Sequence, residues 1–146
     1  MRLRFKQDRP YNCGIFACMY VLSKYYKIRR LHPRFLEELA RTRKLSGTTH
    51  EGIQEIFRHY KIRYTSGTGT ISLIRYLVPL IVNFQFEDEG HYGVIIGWVE
   101  GEIHIWEPWR AKHFWINESD FDRIWFSRRY GSHWFLHPLD KAGDSC

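Results

Sequence analysis

The chain has 146 residues, 44% of them hydrophobic and 17% aromatic, with a formal net charge of +6. That length suits one domain, 1–146, with a sizeable core, and the apolar content excludes a disordered polymer. No apolar run reaches the 18 residues of a membrane span, and the basic start leads into no apolar stretch with a cleavage site, so neither a span nor a signal peptide is expected.

In chain order, "CGIFACMYVLSKYY" (13–26) predicts a first helix whose apolar residues nearly surround it, as in a helix buried at the centre of a domain. "HPRFLEELARTRKL" predicts a second, with Pro33 in its first turn and a break at Ser46-Gly47. "TTHEGIQEIFRHY" follows, with Thr48 as N-cap and Glu51 completing a capping box. "SGTGT" reads as a connection to a short helical turn, "ISLIRYL". After Pro79 the pattern becomes β-branched and aromatic: "LIVNFQF", "HYGVIIGWV", "EIHIW" and "HWFLH" predict strands, with a short helix at "SDFDRIW". Helices first and mostly antiparallel strands afterwards is an α+β order. A flexible tail is expected over about 140–146.

The cysteines at 13, 18 and 146 are odd in number, and the first two are badly placed to pair on one helix. A reduced, cytoplasmic setting is the simpler expectation. Basic residues cluster at Lys27–Arg30, Arg41–Lys44 and Arg128-Arg129. These groups fall where helices end, and cations are favourable there, so they read first as solvated surface. Nucleic-acid binding through them is a lesser alternative.

Cys13 opens the first helix. Free N–H groups and the helix dipole at that position favour a thiolate, which is what a cysteine nucleophile needs. Position alone leaves open that Cys13 is an inert buried thiol, as is expected of Cys18 one and a half turns deeper. A nucleophile also needs a base and a group that orients the base. Of eight histidines, His91 stands at the start of a buried strand, directly after the acidic turn "EDEG".

Hairpin geometry supplies the third group. A two-residue loop at Glu100-Gly101 would place His91 and Glu107 on opposite faces of the sheet. A three-residue loop, Val99-Glu100-Gly101, pairs Gly93 with Glu107 and brings the carboxylate one diagonal step from His91, within reach. The second register also gathers Ile95, Ile103 and Ile105 on one face, so it is the expected one. Gly101 should then have positive φ, and Gly93 should leave a gap between His91 and Glu107. Gln7, six residues before Cys13, is the candidate side-chain donor to an oxyanion, with Pro10 stiffening the segment between. Gly14 would leave space beside the sulfur. Gly14, Tyr92, Trp106 and Trp109 are the expected substrate contacts, the two tryptophans also shielding the imidazole. "THEGIQE" lacks the second histidine of a zinc helix, and no metal or cofactor is expected.

Gln7, Cys13-Gly14 opening an apolar helix with Ala17-Cys18, then "HYGVI", then Glu107-Pro108 and the late "SDFDRIW" resemble the double-glycine leader peptidases. These are peptidase domains of bacteriocin exporters and a branch of the papain-like cysteine peptidases. The resemblance runs from about Phe5 to "HWFLH". It implies a papain-like fold, Cys13 as nucleophile, His91 as general base and acid, Glu107 where the family usually has aspartate, and Gln7 with the Cys13 N–H at the oxyanion. It also implies a peptide or protein substrate, here expected for a freestanding domain. A transglutaminase-type acyl transferase on the same scaffold, or a non-catalytic peptide- or nucleic-acid-binding domain, are the alternatives.

Overall fold

A computed structural model describes residues 9, 11–44, 47–86, 89–127 and 131–141. The first helix, α1 (Cys13–Tyr26), has the expected span, and Gly14 through Leu22 are all buried. It is apolar on every side because it lies between the sheet and two further helices. It ends where Lys27 turns left-handed and returns its N–H to Leu22.

α2 (Pro33–Ala40) begins on Pro33 as expected but stops sooner. Arg41 adopts φ 56°, and the Thr42 N–H closes back onto the Glu37 carbonyl at 2.9 Å, which ends the helix. α3 (His50–His59) is capped by Thr49, whose hydroxyl accepts from the Gly52 N–H at 3.0 Å. Thr48, the expected cap, is buried one residue earlier and shares a 2.7 Å hydrogen bond with Thr42.

The remaining elements are β1 (Ile62–Thr68), α4 (Ile71–Ile74), β2 (Leu80–Phe86), β3 (Glu89–Val99), β4 (Glu102–Glu107), β5 (Lys112–Asn117), α5 (Glu118–Ile124), β6 (Phe126–Ser127), β7 (Gly131–Ser132) and β8 (Trp134–Lys141). β8 continues through residues 140 and 141, where the tail was expected to begin, and 142–146 lie outside the described residues. The six-stranded antiparallel sheet has the order β1-β8-β2-β3-β4-β5, and β6 and β7 form a separate ribbon. β1 and β5 were not foreseen. Both are sheet edges with polar residues and only partial burial, so neither carries a strong apolar signal.

Two cores lie on opposite faces of this sheet. Ile81, Tyr92, Val94 and Trp106 meet α1, α2 and α3. Val82, Phe84, Ile95 and Ile105 meet α4, Phe121 and Trp125. Packing helices against both faces holds β3 and β4 rigidly, and these two strands carry most of the candidate site.

The β3–β4 hairpin corrects the expected turn. The loop is the two-residue Glu100-Gly101, both with positive φ (49° and 81°), and Val99 faces Glu102. Such a turn matches the twist of the flanking strands. The register then slips by one residue at Ile96, between the pairs Gly97–His104 and Ile95–Ile105. This β-bulge delivers the shift that had been assigned to a longer loop. Below the bulge, Val94 faces Trp106, so the ladder leads to Gly93 opposite Glu107 after all. Ile95, Ile103 and Ile105 gather in one core, as expected.

Candidate active site

Cys13 is the first residue of α1. The preceding Asn12 makes no side-chain cap to the helix; its Oδ1 instead accepts the Arg9 N–H at 3.3 Å. The N–H groups of the first turn have no intrahelical acceptors, which leaves them to favour negative charge at this end of the helix. The sulfur lies against β3 and accepts from the Tyr92 N–H at 3.5 Å. His91 faces it closely enough for its hydrogen bonding and charge to act on the thiol.

His91 and Glu107 sit at neighbouring ends of β3 and β4, with His91 8% and Glu107 2% exposed. His91 Nε2 lies 3.3 Å from Glu107 Oε2. A carboxylate only accepts, so Nε2 carries the proton, and Nδ1 is the nitrogen left to face the sulfur. The carboxylate is itself held from behind: Oε2 accepts the Trp109 N–H and Oε1 the Arg110 N–H, both at 2.8 Å. These donors belong to the turn that closes with the Ala111 N–H on the Pro108 carbonyl. A glutamate is long enough to fold back onto that turn and still reach the imidazole.

Burial opposes charge at all three positions, and the partners overcome it. It pushes the Cys13 thiol up, but the hydrogen bond and positive charge of His91, with the N–H groups of Tyr92 and Gly14, hold it below the ordinary thiol value. Burial pulls His91 down, but hydrogen bonds and charge from Cys13 and Glu107 raise it to about 9. Burial raises Glu107, but His91 and the Arg110 and Trp109 N–H groups bring it below the usual carboxylate range. All three shifts run in the direction that favours a thiolate beside an imidazolium, backed by a carboxylate.

Several expected details are corrected. The space beside Gly14 is filled: a Cβ there would lie 3.0 Å from both Thr48 Cβ and the Tyr92 ring. Gly14 therefore serves close packing of α1 rather than substrate entry. The gap at Gly93 is filled by Phe84, 2.8 Å from where a Cβ would be. Phe84 stands opposite His91 in the ladder and presents its ring edge-on to the imidazole. Trp106 is not beside the imidazole but in the core, stacked on Tyr20 with centroids 4.3 Å apart, and offers no open face to a substrate. Trp109 is 44% exposed, so its ring is open to solvent as a substrate contact requires, and its backbone N–H in addition holds Glu107. The Tyr92 side chain is buried, with its hydroxyl 2.8 Å from His50 Nδ1. Gln7 lies outside the described residues.

The sequence reading missed the Trp109 and Arg110 N–H donors, although Pro108 directly after Glu107 was a signal for a turn able to present them. It also missed His50, which stacks on Trp134 at 4.0 Å and braces Tyr92. Nothing local in "THEGI" marked it. Among the described residues no group of three or more histidine, cysteine or acidic side chains could hold a metal ion. No helix there is long and apolar enough to cross a membrane.

A thiol at the start of a central helix, meeting an imidazole and a carboxylate on an antiparallel sheet, is the layout of the papain-like cysteine peptidases. Residues 4–128 match the model of the peptidase C39 family, and the chain belongs to that family of cysteine peptidases. Among solved structures, the peptidase domain of Streptococcus ComA, a bifunctional ABC transporter of a quorum-sensing pathway, superposes with a TM-score of 0.74 at 22% identity. That match covers 92% of this chain and 96% of the other. A double-glycine-motif protease from an AMS/PCAT transporter, solved with its leader peptide, gives 0.71 at 19% identity over 92% and 89% of the two chains. The N-terminal C39-like domain of a Vibrio parahaemolyticus toxin-secretion ATP-binding protein gives 0.64 at 14% identity, covering 88% of this chain and 98% of that one. No curated protein matches the sequence.

Proposed function

We propose that Cys13, His91 and Glu107 carry the peptidase chemistry of this chain, on peptide substrates. The chain of contacts from sulfur to imidazole to a doubly held carboxylate carries the reading. The Cys13 thiolate attacks the scissile carbonyl carbon, and the oxygen takes up the negative charge. The Cys13 N–H, in the first turn of α1, is one donor to that oxyanion, and Gln7 is assigned as the second on its spacing from Cys13 and the family pattern. The imidazolium passes its proton to the leaving amine as the C–N bond breaks, leaving a thioester. His91, now neutral, takes a proton from water, which attacks the thioester and releases the acid and the thiolate. Glu107 holds the Nε2–H tautomer throughout.

Family membership and the fold shared with a double-glycine protease solved with its leader peptide support leader-type peptides, cut after paired glycines, as the substrate class. The test is cleavage of synthetic peptides with and without the glycine pair, followed by mass spectrometry. Cutting after the pair, abolished in Cys13→Ala, is the expected result. Cleavage that survives Cys13→Ala would overturn the assignment.

A further inference from the structure

Resting on the peptidase reading, we infer that a basic cavity beside the nucleophile binds an acidic stretch of the peptide substrate. The cavity has a volume of about 510 Å³ and lies between Arg9 and Tyr11 on one side and the C-terminal end of α2 on the other. Five cationic side chains line it (Arg9, Arg34, Arg41, Arg43 and Lys44) against two carboxylates, Glu37 and Glu38, a formal balance of +3.

The charge is not used up within the fold. Glu37 is buried and engaged by Arg34, with Arg9 at 4.0 Å. Arg41, Arg43 and Lys44 are exposed, and none forms an ion pair among the described residues. The end of α2 accounts for part of this, since its carbonyls favour a cation. One charge in the last turn meets that need, at about 0.3–1 kcal/mol. Three uncompensated cations around a cavity exceed it. Arginine forks pair with carboxylates in two-pronged fashion and are the usual readers of acidic peptide motifs.

Two contacts tie the cavity to the catalytic cysteine. Tyr11 lines it and stands two residues before Cys13, a chain span of at most about 7 Å. Thr42, also in the lining, is hydrogen-bonded to Thr48, which packs on Gly14. An extended peptide advances about 3.3–3.6 Å per residue, so a substrate seated on Cys13 places side chains only a few residues from its scissile bond over this cavity.

The experiment titrates Cys13→Ala protein into fluorescein-labelled pentaglutamate and pentaglutamine and reads anisotropy at 50 and 300 mM salt. Pentaglutamate should bind at least about 10-fold more tightly at low salt and lose most of that margin at high salt. The margin should vanish in Arg41→Glu/Arg43→Glu, shrink in the milder Arg41→Gln/Arg43→Gln, and persist in Arg63→Glu, a reversal on β1. Equal binding of the two peptides, or a margin untouched by both double variants while their melting transitions are intact, overturns the inference. In parallel, wild-type protein is given double-glycine peptides carrying glutamates or glutamines beside the glycine pair. If both are cut with equal kcat/KM, the cavity has no part in selection and the peptidase reading stands. If neither is cut, that reading falls, and anisotropy still decides the cavity.

Discussion

Two cysteines five residues apart on α1 have opposite chemistry. Cys13 is partly buried and Cys18 fully, yet Cys13 is held below the ordinary thiol value while Cys18 is pushed far above it. Cys18 meets only apolar groups of the core, so burial acts on it without opposition. Cys13 meets the same penalty and also an imidazolium and backbone donors. Burial therefore does not decide reactivity; the His91 imidazolium, helped by the Tyr92 and Gly14 N–H groups, does.

The strongest way to break this contrast is to exchange the outcomes. Cys13→Ala should lower kcat by at least about 10⁴-fold in a peptide-cleavage assay, the scale seen when a nucleophile is deleted. Cys18→Ala should leave kcat within about twofold and show itself in a thermal melt, through the loss of a small core side chain, at about 1 kcal/mol. If Cys18→Ala abolishes cleavage and Cys13→Ala does not, the nucleophile has been misassigned.

Removing the carboxylate charge sharpens the role of the third group. Glu107→Gln should lower kcat by about 10²–10⁴-fold with little change in KM, since an amide no longer fixes the tautomer. The pH profile separates this from a folding defect. In the native protein kcat/KM should rise with ionisation of Cys13, below the ordinary thiol value, and fall near pH 9 as His91 loses the proton needed by the leaving amine. These limbs belong to the coupled pair. In Glu107→Gln the alkaline limb should move to lower pH, because one of the two partners raising His91 is gone. An unmoved limb would place Glu107 outside the proton chain. The sign for stability follows the same shift: His91, raised above its unfolded value of about 6.5, stabilises the fold below that pH, and its contribution is lost as pH rises through about 9.

Alkylation tests the contrast without a substrate. Iodoacetamide at pH 7 should label Cys13 at least about 100-fold faster than Cys18, read by peptide mapping, and the ratio should collapse in His91→Ala. Smaller effects probe the packing behind the sulfur. Gly14→Ala forces a methyl to 3.0 Å from Thr48 and Tyr92 and should cost about 1–3 kcal/mol in urea denaturation. Tyr92→Phe, which removes only the hydroxyl bonded to His50, should cost about 1 kcal/mol and leave the Cys13 alkylation rate nearly unchanged.

Much of this was legible one residue at a time. The apolar surround of residues 13–26 specified α1 and put Cys13 at its start, because a helix with no polar face must be central and must begin where the apolar run begins. The choice of His91 and Glu107 also came from local pattern, through a register that groups isoleucines on one face. What local pattern could not supply was how that register is reached. The bulge at Ile96 and the left-handed Glu100 answer to sheet twist and to two cores packed on opposite faces, and neither is a property of "WVEGE" alone. The same holds for the glycines and Trp106. In a sequence a glycine is empty space and a tryptophan beside an acid is a wall. Only the tertiary packing decided that Thr48, Tyr92 and Phe84 fill the spaces at Gly14 and Gly93, and that Trp106 turns to Tyr20. The residues able to do the chemistry, and the turn after Glu107 that holds its carboxylate, were thus determined by the sequence, while the charge of Cys13 is set by His91 and Tyr92, which only the tertiary packing brings to it from far along the chain.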